Sequence, residues 1–159
     1  MTEWDWDLVK GDFAHDGALR DIYVLNTSAA DWQRMIELVR DYAPEFAIGG
    51  QSADFPAEMR SLWQDKTAET SFMRFKISGI MFHCFFYQEE EIEFDIEPRE
   101  VASAEHLEAL LGFLRRLGDV LGKTVILTSE NGCRQTPIFH YEPATRLLRW
   151  VPPPPDRHR

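Results

Sequence analysis

Residues Glu91-Ile92-Glu93-Phe94-Asp95-Ile96-Glu97 alternate acidic and apolar side chains without a break. A two-residue period is what an extended strand with one buried face satisfies, since successive side chains on a strand point to opposite sides. Ile92, Phe94 and Ile96 are therefore assigned to a core, and Glu91, Glu93, Asp95 and Glu97 to an outward acidic wall. The preceding residues extend the pattern. Phe72 to Ile77 alternates, Ser78-Gly79 is a turn, and Ile80 to Tyr87 is densely apolar, which predicts a three-stranded antiparallel meander over 71–97 whose middle strand is covered on both faces.

Around this meander the chain reads as further strands and two main helices. Trp4, Trp6 and Leu8 alternate with acidic residues and Ile22-Tyr23-Val24-Leu25 is apolar, predicting two N-terminal strands. Ser28 and Asp31 have the spacing of a capping box, and Trp32, Met35, Ile36, Val39 and Tyr42 recur on one helical face, so a helix is expected over about 29–42, closed by Pro44. Phe46 to Gln51 is read as a short strand, its Gly49-Gly50 pair as a loop needing positive φ, and Pro56 as the first turn of a brief helix ending near Gln64. The Leu-rich stripe from Leu107 to Leu121 predicts a helix over about 104–121, begun at Ser103 and ended by a left-handed Gly122. A buried strand over 124–128, a polar loop over 130–136 and a hairpin over 137–151 complete an α+β domain. Its sheet is mostly antiparallel, covered by the two helices, and the domain spans 1–151 ahead of a Pro-rich extended tail at 152–159.

Composition narrows the function classes. A chain of 159 residues fits one domain, and 44% apolar with 13% aromatic content is enough to pack a core. The formal charge is −10, and nine carboxylates against Arg99 alone between Glu89 and Glu108 supply −8 of it. Such a surface repels phosphate polymers and anionic lipid, so no nucleic-acid or membrane partner is expected. There is no apolar run near the ~18–20 residues of a membrane span, and the first residues are acidic where a secretory signal is basic. The expected location is the cytoplasm.

Motifs that dictate a reaction are not found. His15, His83, His106, His140 and His158 show no metal-ligand spacing, and a site would need distant strands, for example His83, Cys84 and His140. Cys84 sits in the most apolar strand, where burial makes a thiol inert, whereas Cys133 beside Arg134 is expected to be exposed. No Gly-x-Ser-x-Gly elbow, P-loop or dinucleotide fingerprint occurs. Paired carboxylates on the acidic strand could do acid-base chemistry only if an apolar pocket raised a pKa, and an open row is expected to do the opposite. The expectation is no catalytic residue, no metal and no cofactor.

What the row can do is bind positive charge. Glu89, Glu90, Glu91, Glu93, Asp95 and Glu97 are the candidate partner-binding residues, set against the plainer reading of a solvated strand whose charges protect a sheet edge. Three segments also carry a resemblance: Gly17 to Val24 running into Asp31-Trp32, the aromatic-to-acidic strand Phe85 to Glu97, and Thr124 to Asn131 leading to Pro137-Ile138-Phe139. Together they resemble small bacterial proteins of the polymorphic-toxin immunity type. The resemblance implies a binding protein that occludes the active site of a basic partner, with Trp4, Trp6 and Trp150 as anchor candidates or core residues. A small-molecule module using a pocket between the meander and the Leu-rich helix, or an enzyme using His83 or His140, stands as the alternative.

Overall fold

The N-terminal alternation of Trp4, Trp6 and Leu8 closes into a helical turn and not into the expected strand. Asp5 caps it by accepting from the Asp7 amide at 3.0 Å, and a 3-10 turn over Lys10–Phe13 follows. Val9 and Phe13 are buried four residues apart, a helical spacing that overrides a five-residue alternation. The computed structural model describes residues 4–132 and 135–152. In chain order its elements are α1 (Trp6–Val9), β1 (Arg20–Leu25), α2 (Ala29–Val39), β2 (Glu45–Ile48), β3 (Gln51–Ser52), α3 (Ser61–Gln64) and β4 (Ser71–Ile77). They continue with β5 (Ile80–Gln88), β6 (Glu91–Ile96), α4 (Ala104–Leu121), β7 (Val125–Ser129), β8 (Phe139–Glu142) and β9 (Leu147–Trp150). The readings made for Cys133 and for the tail beyond Pro152 lie outside the described residues.

All nine strands form one antiparallel sheet in the order β3-β2-β4-β5-β6-β1-β7-β8-β9. The protein is an α+β single domain, with the expected meander at β4-β5-β6 and the hairpin at β8-β9. Gly49 and Gly50, at φ +59 and +80, make the tight β2-β3 turn that their lack of Cβ permits. One face of the sheet carries the core. Trp32 of α2 lies 5.0 Å from Phe86, and Phe113 of α4 lies 4.9 Å from Phe82 and 5.6 Å from both Phe75 and Phe94. These rings fill the space between meander and α4 that the alternative small-molecule reading would use as a pocket, each worth roughly 2–3 kcal/mol in transfer from water.

Both main helices begin and end where their caps dictate. Ser28 and Asp31 form the reciprocal capping box, and Asp31 also accepts from Lys123 Nζ at 2.6 Å, tying the start of α2 to the chain ahead of β7. α2 passes into a 3-10 turn over Arg40–Tyr42, and Ala43 turns left-handed before Pro44. Ser103 caps α4, and Gly122 ends it at φ +64. The brief helix is shorter than expected: α3 begins at Ser61, so Pro56 lies in the irregular segment ahead of it. Arg20, buried with its side chain 3% exposed, donates from Nε to the Asp12 carbonyl at 2.8 Å and pairs with Asp16 at 3.1 Å, clamping the loop that delivers β1 to the centre of the sheet.

The face away from the helices is not covered as expected for the middle strand. Along β5 the core-side residues are buried, but Met81, His83 and Phe85 are half-buried and Tyr87 is 63% exposed.

Candidate functional site

The acidic strand β6 lies inside the sheet, flanked by β5 and β1, so its charges protect no sheet edge. Register decides what they meet. On the outer face Asp95 stands opposite Asp21 of β1 and His83 of β5, and Glu93 opposite Tyr23 and Phe85. Two carboxylates, Asp21 and Asp95, are thus cross-strand neighbours, an arrangement that is unfavourable when both are ionised. Asp21 is buried and accepts from Tyr23 Oη at 3.0 Å and from the Asn131 amide at 2.9 Å.

Glu91, Glu93 and Asp95 share the outer side of β6 as the alternation predicts, with Glu97 directly after the strand, and the other two candidates do not belong to that row. Glu89 and Glu90 make the β5-β6 turn, where their backbone carbonyls hold the approach to α2: Glu89 accepts from Thr27 Oγ1 at 2.8 Å and Trp32 Nε1 at 2.9 Å, and Glu90 from the Thr27 amide. Glu91 accepts from Gln88 Nε2 at 2.8 Å. Glu97, at the other end, sits 3.4 Å from Arg99 Nε and 3.7 Å from His15 Nδ1. Glu93 and Asp95 form the centre, half-buried, with the Asp95 side chain only 19% exposed and its Oδ1 3.4 Å from His83 Nδ1.

This centre has the electrostatics that an open row was expected to lack. Burial pushes the Glu93 carboxyl up to about 7, reinforced by Asp21 and Glu91 and opposed by the Tyr23 hydroxyl beside it. Burial likewise pushes Asp95 up to about 6, with His83 pulling it down and Asp21 and Glu130 pushing it up. Among the described residues no Lys or Arg is ion-paired with Glu93 or Asp95. Burial, and after it the same carboxylates, raise the Tyr87 phenol. Tyr87 stacks on Phe85 at 5.5 Å, Phe85 contacts Phe72 at 5.2 Å, and Phe72 stacks on His83 at 5.8 Å. The outer face therefore presents half-buried carboxylates beside an aromatic stripe.

The other candidates resolve differently. His83 and Cys84 are consecutive on a strand and point to opposite faces. Cys84 is fully buried, its thiol pushed up by burial, so these two cannot share a metal with His140. Among the described residues no group of three His, Cys, Asp or Glu is arranged to hold a metal ion, and no helix is long and apolar enough to cross a membrane. Trp4, Trp6 and Trp150 pack against the core, with Trp4 edge-on to Phe139 at 5.6 Å and Trp150 Nε1 donating to Asp12 at 2.9 Å. Asp21, Tyr23 and Tyr87 were missed in the sequence; only pairing register brings them to Glu93 and Asp95. No family model, no curated protein and no solved structure matches this chain.

Proposed function

We propose that the outer face of the sheet seats a basic protein partner, in the manner of an immunity protein that occludes a toxin's active site. The observation that supports this reading most is the Glu93–Asp95 centre: two half-buried carboxylates, crowded by Asp21, with the His83 imidazole set against Asp95. Such a centre is unfavourable in the isolated protein. A lysine or arginine from outside relieves it, gaining a charge-assisted hydrogen bond in a partly dehydrated setting. Phe85 and Tyr87 supply the aromatic anchors that carry affinity at interfaces, while Glu91 and Glu97 steer approach. In this reading the chain binds and carries no catalytic residue of its own.

The linkage has a definite sign. An approaching cation favours the ionised carboxylates, so binding releases protons and tightens as pH rises through about 6 to 7. Capture from a lysate of the source organism, at pH 8 and low salt, is expected to retain a stoichiometric basic protein. That protein should be released by high salt or at pH 5.5, and lost with Glu93→Gln combined with Asp95→Asn. Retention indifferent to salt, pH and both substitutions would remove the acidic centre from the account, and capture of nothing would leave it a solvated surface.

A further inference from the structure

The outer face of β4-β5-β6 sets two chemistries side by side. Register puts Phe72 opposite Phe85, Phe85 opposite Glu93 and His83 opposite Asp95, so these rings and carboxylates share one side of the sheet. Ring contacts run unbroken from Tyr87 to Phe85, Phe72 and His83. Tyr87 is exposed, and Phe85 and Phe72 are half-buried. The rings that meet the helices, Phe82 and Phe86, alternate with these and point the other way. An aromatic stripe bordered by carboxylates fits a proline-rich, arginine-bearing segment. Pyrrolidine rings lie against aromatic faces, a guanidinium meets a carboxylate, and a polyproline chain has little conformational entropy left to lose on docking.

The chain itself carries such a segment. Residues 152–159 read Pro-Pro-Pro-Pro-Asp-Arg-His-Arg, with Arg157 and Arg159 against Asp156 in a chain of net charge −10. We propose that the outer face takes residues 152–159 of a second copy of this chain, with the prolines on the Phe85–Tyr87 stripe and the arginines on Glu93 and Asp95. Reach decides between a second copy and the chain's own tail. β9 is the last strand of the sheet, and the Val151 amide still donates to the Ile138 carbonyl at 2.9 Å, so the chain leaves at that edge. From β9 to β6 there are four strand spacings, about 19 Å at ~4.8 Å each, and β5 lies one spacing further. Pro152 to Pro155 covers only about 9 Å at ~3.1 Å per residue. The prolines of the same chain therefore stop short of the stripe, and both matches are met together only between copies. The inference rests on the reading of this face as a seat for basic groups, and it names the occupant that an outside partner displaces.

Complementation between two full-length variants tests it by amide-resolved NMR. An isotope-labelled chain with Arg157→Gln and Arg159→Gln keeps the face and loses the basic tail. An unlabelled chain with Glu93→Gln and Asp95→Asn keeps the tail and loses the carboxylates. At pH 8 and low salt, adding the second to the first is expected to give saturable shifts at Phe72, Phe85, Tyr87 and Glu93 of the labelled chain. Affinity should fall at least about tenfold in high salt, and about tenfold when Pro153, Pro154 and Pro155 of the unlabelled chain are replaced by alanine. In sedimentation the wild type should self-associate with rising concentration, whereas each variant alone stays monomeric. No saturable shift, shifts centred elsewhere, or full affinity without the prolines would each overturn the exchange. Wild-type shifts at these amides that do not depend on concentration, with none in the mixture, would place the tail on its own domain and overturn it as well. Lysate capture with the Arg157→Gln, Arg159→Gln chain separates this inference from the partner reading. A basic protein retained there while the mixture fails sinks the exchange alone, and failure of both sinks the two together.

Discussion

Glu93 is the residue whose environment departs furthest from its place in the sequence pattern. Its carboxyl binds protons more tightly folded than unfolded, because burial and the neighbouring Asp21 and Glu91 push it up to about 7. Stability from such a group is full below its unfolded value and is lost as pH rises through the folded one. Glu93→Gln is therefore expected to raise the free energy of unfolding at pH 8 by about 1 kcal/mol, after allowing for screening at a half-exposed position. Near pH 4 the variant and the wild type should coincide. Urea denaturation at both values checks this, and a difference of the same size at both would assign the effect to packing. The alternation of residues 91–97 showed which side Glu93 faces, but the shift comes from burial by its strand neighbours and then from Asp21, a strand away. Nothing in Arg20-Asp21-Ile22 says which strand Asp21 will lie beside, so the row was legible and its chemistry was not.

At the scale of elements, α4 contains two glycines with opposite consequences. A Cβ on Gly112 meets nothing within 4 Å, whereas on Gly118 it falls 2.6 and 2.8 Å from ring carbons of Tyr141. That ring cannot step aside easily, being buried with its hydroxyl donating to Asp119. Gly112→Ala is expected to stabilise by roughly 0.5–1 kcal/mol through helix propensity alone. Gly118→Ala gains the same propensity but forces the α4-β8 contact apart, for a net loss of about 1–2 kcal/mol. Thermal unfolding of the two variants should move in opposite directions; a stabilised Gly118→Ala would mean that Tyr141 is free to shift. α2 and α4 were legible because their signals are redundant, with a side-chain cap, a repeating apolar face and a stop at Pro44 or Gly122 all agreeing. The first strand failed because Trp4, Trp6 and Leu8 alone cannot separate alternation from a single turn, and Leu8 is in fact 65% exposed.

At the scale of the whole molecule, the sheet depends on one early strand inserted late in the order. β4-β5-β6 and β7-β8-β9 each pair between sequence neighbours, and β1 is the strand hydrogen-bonded to both, through β6 on one side and β7 on the other. Its residues from Arg20 to Val24 are buried without alternation, the mark of a central strand. Two charged residues at its start hide that mark in the sequence, since Arg20 and Asp21 are buried by virtue of partners, Asp16 and the Asp12 carbonyl for one, Tyr23 and Asn131 for the other. Strand order therefore could not be read from local pattern, although every main strand after the first could. The consequence is that a chain beginning at Thr27 should lose more than six residues of sheet. It exposes the edges of β6 and β7 together, and the Glu93–Asp95 centre loses Tyr23 and Asp21. Loss of the cooperative urea transition and binding of a hydrophobic dye are expected for that fragment. A peptide covering residues 17–26 added in trans should restore the transition, because both edges it completes are already specified by register. A fragment that unfolds cooperatively by itself would show that β6 and β7 pair directly, and that the central slot is a choice the N-terminus makes and not a requirement of the sheet.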